Sequence, residues 1–247
     1  MTITHRWERV IAVGCSHGQQ IDPSARRAVL RFRERYKPRH VLHLGDWADT
    51  TAFMSGAAGK AEEAEPIGPD IDSGLQFLSD LRPTVICLGN HEDRIWRMAR
   101  HFNAIKARLA ALTIGAIEDA AERLGAVLVP WSGHECGWHT LGGYRWGHGV
   151  LWNEMYLRDT AEVFGPTVVA HGHRAGVECG RRSDHPMCYG VGALCGAASM
   201  EYAKARKQTQ AWAAGFVWGE VCPDLAKSQL YVHIQPQGGD QWRTPAV

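Results

Sequence analysis

Val10-Ile-Ala-Val-Gly14-Cys-Ser-His17 and His40-Val-Leu-His-Leu44-Gly-Asp46-Trp-Ala-Asp49 follow one plan: a short apolar run, a glycine, then side chains able to hold metals or protons. Apolar runs of four or five residues with such punctuation read as strands buried on both faces, as in parallel sheets. Between the two, Asp22-Pro-Ser24 offers a helix cap and start ahead of an amphipathic stretch over 25–36. A helical pattern carried by Leu75, Leu78 and Leu81 leads into a third run, Thr84-Val-Ile-Cys-Leu88, again followed by a glycine. The order is βαβ(α)β, and it sets the fold class.

The rest of the chain extends this plan. Helices are expected over 94–112, 114–124 and 153–164, and strands over 126–129, 144–147 and 167–170. A mostly β C-terminal third follows, including 211–221 and 228–235. With no repeat or linker, the expectation is one α/β domain over 1–247: a four-layer αββα sandwich of two central mixed sheets flanked by helices. The interval 50–73, rich in Gly, Ala and Glu, is the least regular part and reads as a lid or insertion.

Composition narrows the function classes. The 247 residues carry 27 Lys and Arg against 26 Asp and Glu, a formal charge of +1, so no global field gathers polyanions. Any such binding must come from a local patch. Apolar runs are strand-length and the first nine residues lack a basic start with an apolar core, so neither a membrane span nor a secretory signal is expected, and the cytosol is the expected compartment. Seven cysteines without a CxxC pair read as reduced thiols.

Ligand-type residues stand just after strand-like runs at five places: Gly14-Cys-Ser-His17, Gly45-Asp46-Trp-Ala-Asp49, Gly89-Asn90-His91-Glu-Asp93, Trp146-Gly-His148-Gly and Ala170-His171-Gly-His173. Carboxyl ends of strands are where open α/β sheets place their sites. Imidazoles with one carboxylate and one amide suit two borderline divalent ions (Mn, Zn, Fe or Ni), with Asp46 as the natural bridge. Two such ions roughly 3.5–4 Å apart would activate a water and stabilise in-line displacement at phosphorus. His91 could then contact the phosphate or protonate the leaving oxygen, and Arg94 is the nearest phosphate clamp.

With these motifs the chain resembles the calcineurin-like metallophosphoesterases, whose pattern is D-x-H, G-D-x-x-D, G-N-H-[ED], a lone His, then G-H-x-H. Order and spacing fit over 10–175, and Gly45-Asp46-Trp-Ala-Asp49 and Gly89-Asn-His-Glu92 match in full. The resemblance implies a first metal on position 15, His17, Asp46 and His173, a second on Asp46, Asn90, His148 and His171, and His91 as the catalytic histidine, with a metal-bridging hydroxide attacking phosphorus. The absence of Arg-Gly after Asp49 sets the chain apart from the Ser/Thr protein phosphatase branch, and its Asn-His-Glu-Asp-Arg and His-Gly-His-Arg-Ala runs look more like small phage and prophage members. That implies a bacterial or phage-infected cell and a phosphorylated small molecule or nucleic acid as substrate.

Two positions depart from the pattern. Ala170 replaces a glycine, a minor change if both histidines serve; the other register, Gly172-His173 as the family's Gly-His, would put Ala175 at a ligand position. Cys15 replaces the first Asp. A thiolate favours Zn or Fe over Mg or Mn, so it shifts the first metal's identity, weakens that site, or stands as an oxidisable thiol. The competing function is therefore a non-catalytic or single-metal binding protein on the same fold.

Other residues have plainer readings. Asp49 either orients a ligand histidine by accepting its second N–H or acts as a cap. His43 packs beside Asp46, and Cys87 is a small buried hydrophobe. Trp47 and Trp152 lie near motifs and could stack on a nucleobase, whereas Trp212 and Trp218 belong to the packing. Six Arg and one Lys over 26–39, against Glu34 alone, fit a phosphate-tracking helix or, more commonly, a solvated helix face.

Overall fold

The computed structural model describes residues 7–54, 56–57, 59–131, 137–196, 211–235 and 242–247, with residue 62 described in its backbone alone. The chain begins with Glu8–Val13 (β1), Pro23–Tyr36 (α1), His40–Leu44 (β2), Ile67–Leu81 (α2), Val85–Cys87 (β3), Asn90–Met98 (α3), Ala104–Leu124 (α4) and Val127–Val129 (β4). It continues with His139–Leu141 (β5), Tyr144–Gly147 (β6), Tyr156–Phe164 (α5), Thr167–Val169 (β7), Ala175–Cys179 (β8) and Met187–Val191 (β9). Gly215–Val221 (β10) and Gln229–Ile234 (β11) follow.

β1 is apolar from Val10 onward because both its faces are covered there. Val10 and Ala12 point between two sheets, while Ile11 and Val13 point outward against α1. The first sheet has the order β11-β10-β1-β2-β3-β4; β1 to β4 run parallel, and β10 and β11 add antiparallel strands beyond β1. The second has the order β5-β6-β7-β9-β8, with β6, β7 and β9 parallel and antiparallel strands at both edges. Leu42, Leu44, Val85 and Cys87 of the first sheet meet Trp146, Val168, Ala170 and Val191 of the second in one core. Outside the first sheet lie α1 to α4, and outside the second α5, through Tyr156, Leu157 and Ala161. The molecule is the expected four-layer αββα sandwich.

Register places the site. Val13 pairs with His43 and Leu44 with Cys87, so β1, β2 and β3 end at one edge of the first sheet. Gly147 pairs with Val169, so β6 and β7 end together in the second. His148 Nδ1 donates to the Leu44 carbonyl at 2.9 Å and fastens the two edges together.

Several boundaries differ from expectation. The helical stretch after β3 breaks over 99–103, where the Asn103 side chain accepts from the Ile105 and Lys106 N–H groups and starts α4. α4 then runs through Thr113, whose hydroxyl is satisfied by the Leu109 carbonyl, so the expected division at 113 is absent. α5 starts at Tyr156, not at 153, and α2 starts at Ile67, leaving two short 3-10 turns over 51–53 and 61–64 in the interval 50–73. β5 was not expected; it joins β6 through Gly142-Gly143, whose φ values of 60° and 80° suit a two-residue hairpin turn. Among the described residues, no helix is long and apolar enough to cross a membrane.

Candidate metal centre

Each strand entering the site ends in a sharp turn, and the turning residues are the chemically interesting ones. Among the described residues nine non-glycine positions have positive φ, and five of them are Cys15 (51°), His17 (51°), Asp46 (53°), His171 (36°) and His173 (54°). Left-handed backbone at such residues costs energy and persists where the surroundings hold it. Gly45 is required at its own turn, with φ of 93° and space so limited that a Cβ would lie 2.8 Å from both Gly89 N and His148 Nδ1.

Glu92 braces these turns. Its buried carboxylate accepts the N–H of Gly89 at 2.7 Å, of Asp46 at 2.9 Å and of Ala48 at 2.9 Å, tying the loop after β2 to the start of α3. Burial, with Asp46 nearby, pushes the Glu92 carboxyl up to about 7. Asp70, reaching in from α2, accepts the Asp49 and Thr50 N–H groups at 2.9 Å each. Glu92 has a sequence signal, a carboxylate three residues beyond a helix-capping glycine. Asp70 has none, since α2 approaches this loop only in the folded chain.

The donor atoms converge in three overlapping groups. In each of the sets Cys15, His17, Asp46, His173 and Asp46, His148, His171, one ligand atom per residue lies within 4.8 Å of every other. His17, Asp49 and His91 form the third. His17 Nε2 faces His173 Nε2 at 3.2 Å, while His148 Nε2 lies 3.0 Å from both His171 Nδ1 and Asn90 Oδ1. Asp46 Oδ2 stands between the sets, 3.2 Å from His148 Nε2 and 3.9 Å from His17 Nε2. His91 Nε2 is 3.8 Å from that same oxygen.

Hydrogen bonds behind the donors decide which nitrogens face inward. His17 Nδ1 meets Asp49 Oδ1 at 2.9 Å and His148 Nδ1 is committed to Leu44, so Nε2 of each ring is the nitrogen left facing the centre. His91 Nδ1 donates to the Asp49 carbonyl at 2.5 Å and lies 3.2 Å from Asp49 Oδ1, leaving its Nε2 for the site. Arg94 donates to that carbonyl at 3.0 Å, which places its half-buried guanidinium beside His91.

The titrations fit a cation site. Burial would raise the Asp46 carboxyl, but His148, His91 and His17 hold it well below the usual carboxylate range. Burial, reinforced by His148, presses His171 down to about 3, and burial with His17 nearby holds His173 low, so both rings are neutral. Burial, and then the Asp46 charge, push the Cys15 thiol up, so without a cation it keeps its proton. Without a metal, burial works against a proton on His148 but the Asp46 charge raises that ring. Imidazole nitrogens, an anionic carboxylate, an amide oxygen and a thiol that a cation would deprotonate suit borderline divalent metals.

All seven expected ligands, together with His91, Asp49 and Arg94, meet at this one place. His171 and His173 both reach it, whereas Ala175 opens β8. His43 is buried with Nε2 on Ser16 Oγ at 3.0 Å, held down to about 3 by burial, and Cys87 is buried in the core between the sheets. Trp47 corrects an expectation. It is fully buried against Gly74 of α2 and cannot stack on a base, whereas Trp152 is exposed. Trp212, expected only in the packing, lies with its ring centroid 4.0 Å from that of His173 and walls one side of the first cluster.

A family model described as calcineurin-like phosphoesterase matches residues 8–177. The chain belongs to the calcineurin-like phosphoesterase family. That makes a metal-dependent phosphoesterase the coarse description of this member, with divalent ions as the implied cofactor and a phosphate ester as the implied substrate class. Comparison with curated proteins finds no match. Solved structures similar to this calcineurin-like chain include an archaeal phosphodiesterase (12% identity, 92% of this chain and 99% of that one, TM-score 0.45). Others are the phosphoesterase Yfce from E. coli (12%, 90% and 96%, 0.40) and Vacuolar Protein Sorting 29 from Cryptosporidium parvum (12%, 93% and 97%, 0.42).

Proposed function

We propose that this protein is a dinuclear phosphoesterase acting on phosphodiester or nucleotide substrates, with residues 1–247 serving as one catalytic domain. The observation that carries the reading is Asp46 Oδ2, one carboxylate oxygen standing between two clusters of inward-facing donors. Cys15, His17, Asp46 and His173 would hold one ion, and Asp46, Asn90, His148 and His171 the other. When bound, the ions would supply positive charge against the phosphoryl oxygens and would lower the pKa of a water.

The chain's own residues do the rest. His91 turns Nε2 toward the site and passes a proton to the departing oxygen, its ring fixed by the Asp49 carbonyl. Arg94, anchored on the same carbonyl, has guanidinium N–H groups left for a phosphate oxygen. Asp49 orients His17 and His91 together from one carboxylate oxygen. Thr50, Thr51, Pro66 and Ile67 line a hollow of about 50 Å³ beside Asp49, and we assign the interval 50–73 to contact with the substrate beyond its phosphate.

Cys15 favours a specific variant of this reading, in which the first site prefers Zn or Fe and the second accepts Mn. The alternative, a single-metal binding protein, rests on the same residue and predicts one ion per chain. The test is hydrolysis of bis-p-nitrophenyl phosphate by metal-free protein reloaded separately with Mn, Zn, Fe(II) or Ni, with metal content measured alongside. Two ions per chain and metal-dependent turnover that collapses in His91→Ala support the proposal. One ion per chain and no turnover with any metal, in folded protein, would replace it with the binding protein.

A further inference from the structure

A second feature lies apart from the metal centre, along α1. Arg27, Arg31 and Arg35 recur at every fourth position, so their side chains rise along one face at steps of about 6 Å. They line a cavity of about 570 Å³ whose other wall is Trp242 and Thr244 from the C-terminal segment. That volume is in the range of a ligand pocket. Among the described lining residues Glu34 is the single carboxylate beside three guanidiniums.

The arginines over 26–39 are not equivalent. Arg26 pairs with Asp80 of α2, and Arg39 with Glu8 at 3.0 Å. Arg35 reaches across to the Thr244 hydroxyl at 2.6 Å and the Pro245 carbonyl at 3.1 Å, holding the C-terminal segment over the helix. Arg27 and Arg31 are exposed and have no carboxylate within 4 Å among the described residues. A solvated helix face would not need a wall opposite it, and here that wall carries an indole. Trp242 is half-buried, packed on the cluster beneath α1 with its ring centroid 5.8 Å from that of His233, so its position is fixed.

We infer that this groove binds a short stretch of single-stranded nucleic acid, its phosphates on Arg27 and Arg31 and a base against Trp242. A row of guanidiniums beside a fixed aromatic ring is the combination that holds a strand without reading its sequence. With the net charge of the chain near zero, the groove would be a local source of attraction for a polyanion. This deepens the phosphodiester reading by naming its substrate class, and the test is made without turnover so that the two can fail separately.

The experiment is fluorescence anisotropy of a labelled twelve-nucleotide oligothymidylate with the full-length protein in chelator, between 50 and 200 mM salt. Binding is expected to weaken with salt. Arg27→Glu with Arg31→Glu should weaken it further by tenfold or more and reduce the log–log salt slope by about 1.4, at roughly 0.7 per phosphate contact. Trp242→Ala should cost about tenfold and Trp242→Phe should restore most of it, which separates stacking from loss of packing. The doubly substituted arginine variant should unfold at the wild-type temperature, which shows that the loss is one of binding and not of folding. No binding, binding indifferent to these substitutions, or a free nucleoside triphosphate competing as tightly as the oligonucleotide would each overturn the inference.

Discussion

Cys15 and Asp49 show how single side chains set the character of this centre. Cys15 is fully buried, and its thiol shares a cluster with His17, Asp46 and His173. In protein loaded with Co(II), a thiolate ligand should give a near-ultraviolet charge-transfer band. Cys15→Asp should abolish that band and move the preferred metal from Zn or Fe toward Mn; a band unchanged in the variant would remove Cys15 from the ligand set. Asp49 touches both His17 and His91 through one oxygen, so Asp49→Ala should reduce metal affinity by about ten- to a hundredfold and lower turnover as well. His91→Ala should keep its metal while turnover falls by about 10²–10⁴. Titration calorimetry and elemental analysis separate the two, and metal loss in His91→Ala would show that its role had been misplaced.

Between elements, the centre depends on α2 and α3 holding the loop after β2 in shape. Glu92 takes three buried backbone N–H groups, and with Glu92→Ala all three lose their acceptor. Such groups cost roughly 1–3 kcal/mol each when left unsatisfied, so metal-free protein should lose about 3 kcal/mol or more in denaturant unfolding. Gly74 is a sharper test because two effects oppose each other. Alanine for glycine in a helix ordinarily gains up to about 1 kcal/mol. At Gly74, however, a Cβ would lie 2.6 Å from Trp47 Cε3 and 2.7 Å from the Trp47 carbonyl. Overpacking of this kind costs about 1–3 kcal/mol, so Gly74→Ala should be net destabilising; unchanged or raised stability would mean that α2 shifts freely.

For the whole molecule, donors from both sheets stand together in one buried centre, and a divalent ion bound there would add to the stability of the fold. Metal at about a hundred times its dissociation constant adds about 2.7 kcal/mol to folding, which for a domain of this size is a rise in Tm of roughly 5–11 °C. Thermal scans with and without chelator measure it, and no shift would argue against tight binding. At this scale the sequence by itself determined a good deal. The apolar runs at 10–13, 40–44 and 84–88 marked the buried parallel strands, and the glycines and ligand-type residues after them marked the loops that carry the site, because strand patterning and turn chemistry are local. The break over 99–103 and the strands β5, β8 and β9 were not placed, since strands of three to five residues owe their existence to partners outside their own stretch of sequence. The fate of Trp47 was equally hidden, because a tryptophan beside a motif reads as available until α2 is seen packed over it. The meeting of His148, His171 and His173 with Asp46 depends on registers in two different sheets and on their facing, and no stretch of sequence contains that relation. The same is true of the groove on α1, whose arginines are plain in the sequence while Trp242, more than two hundred residues later, becomes its wall only once the C-terminal segment folds back over the helix.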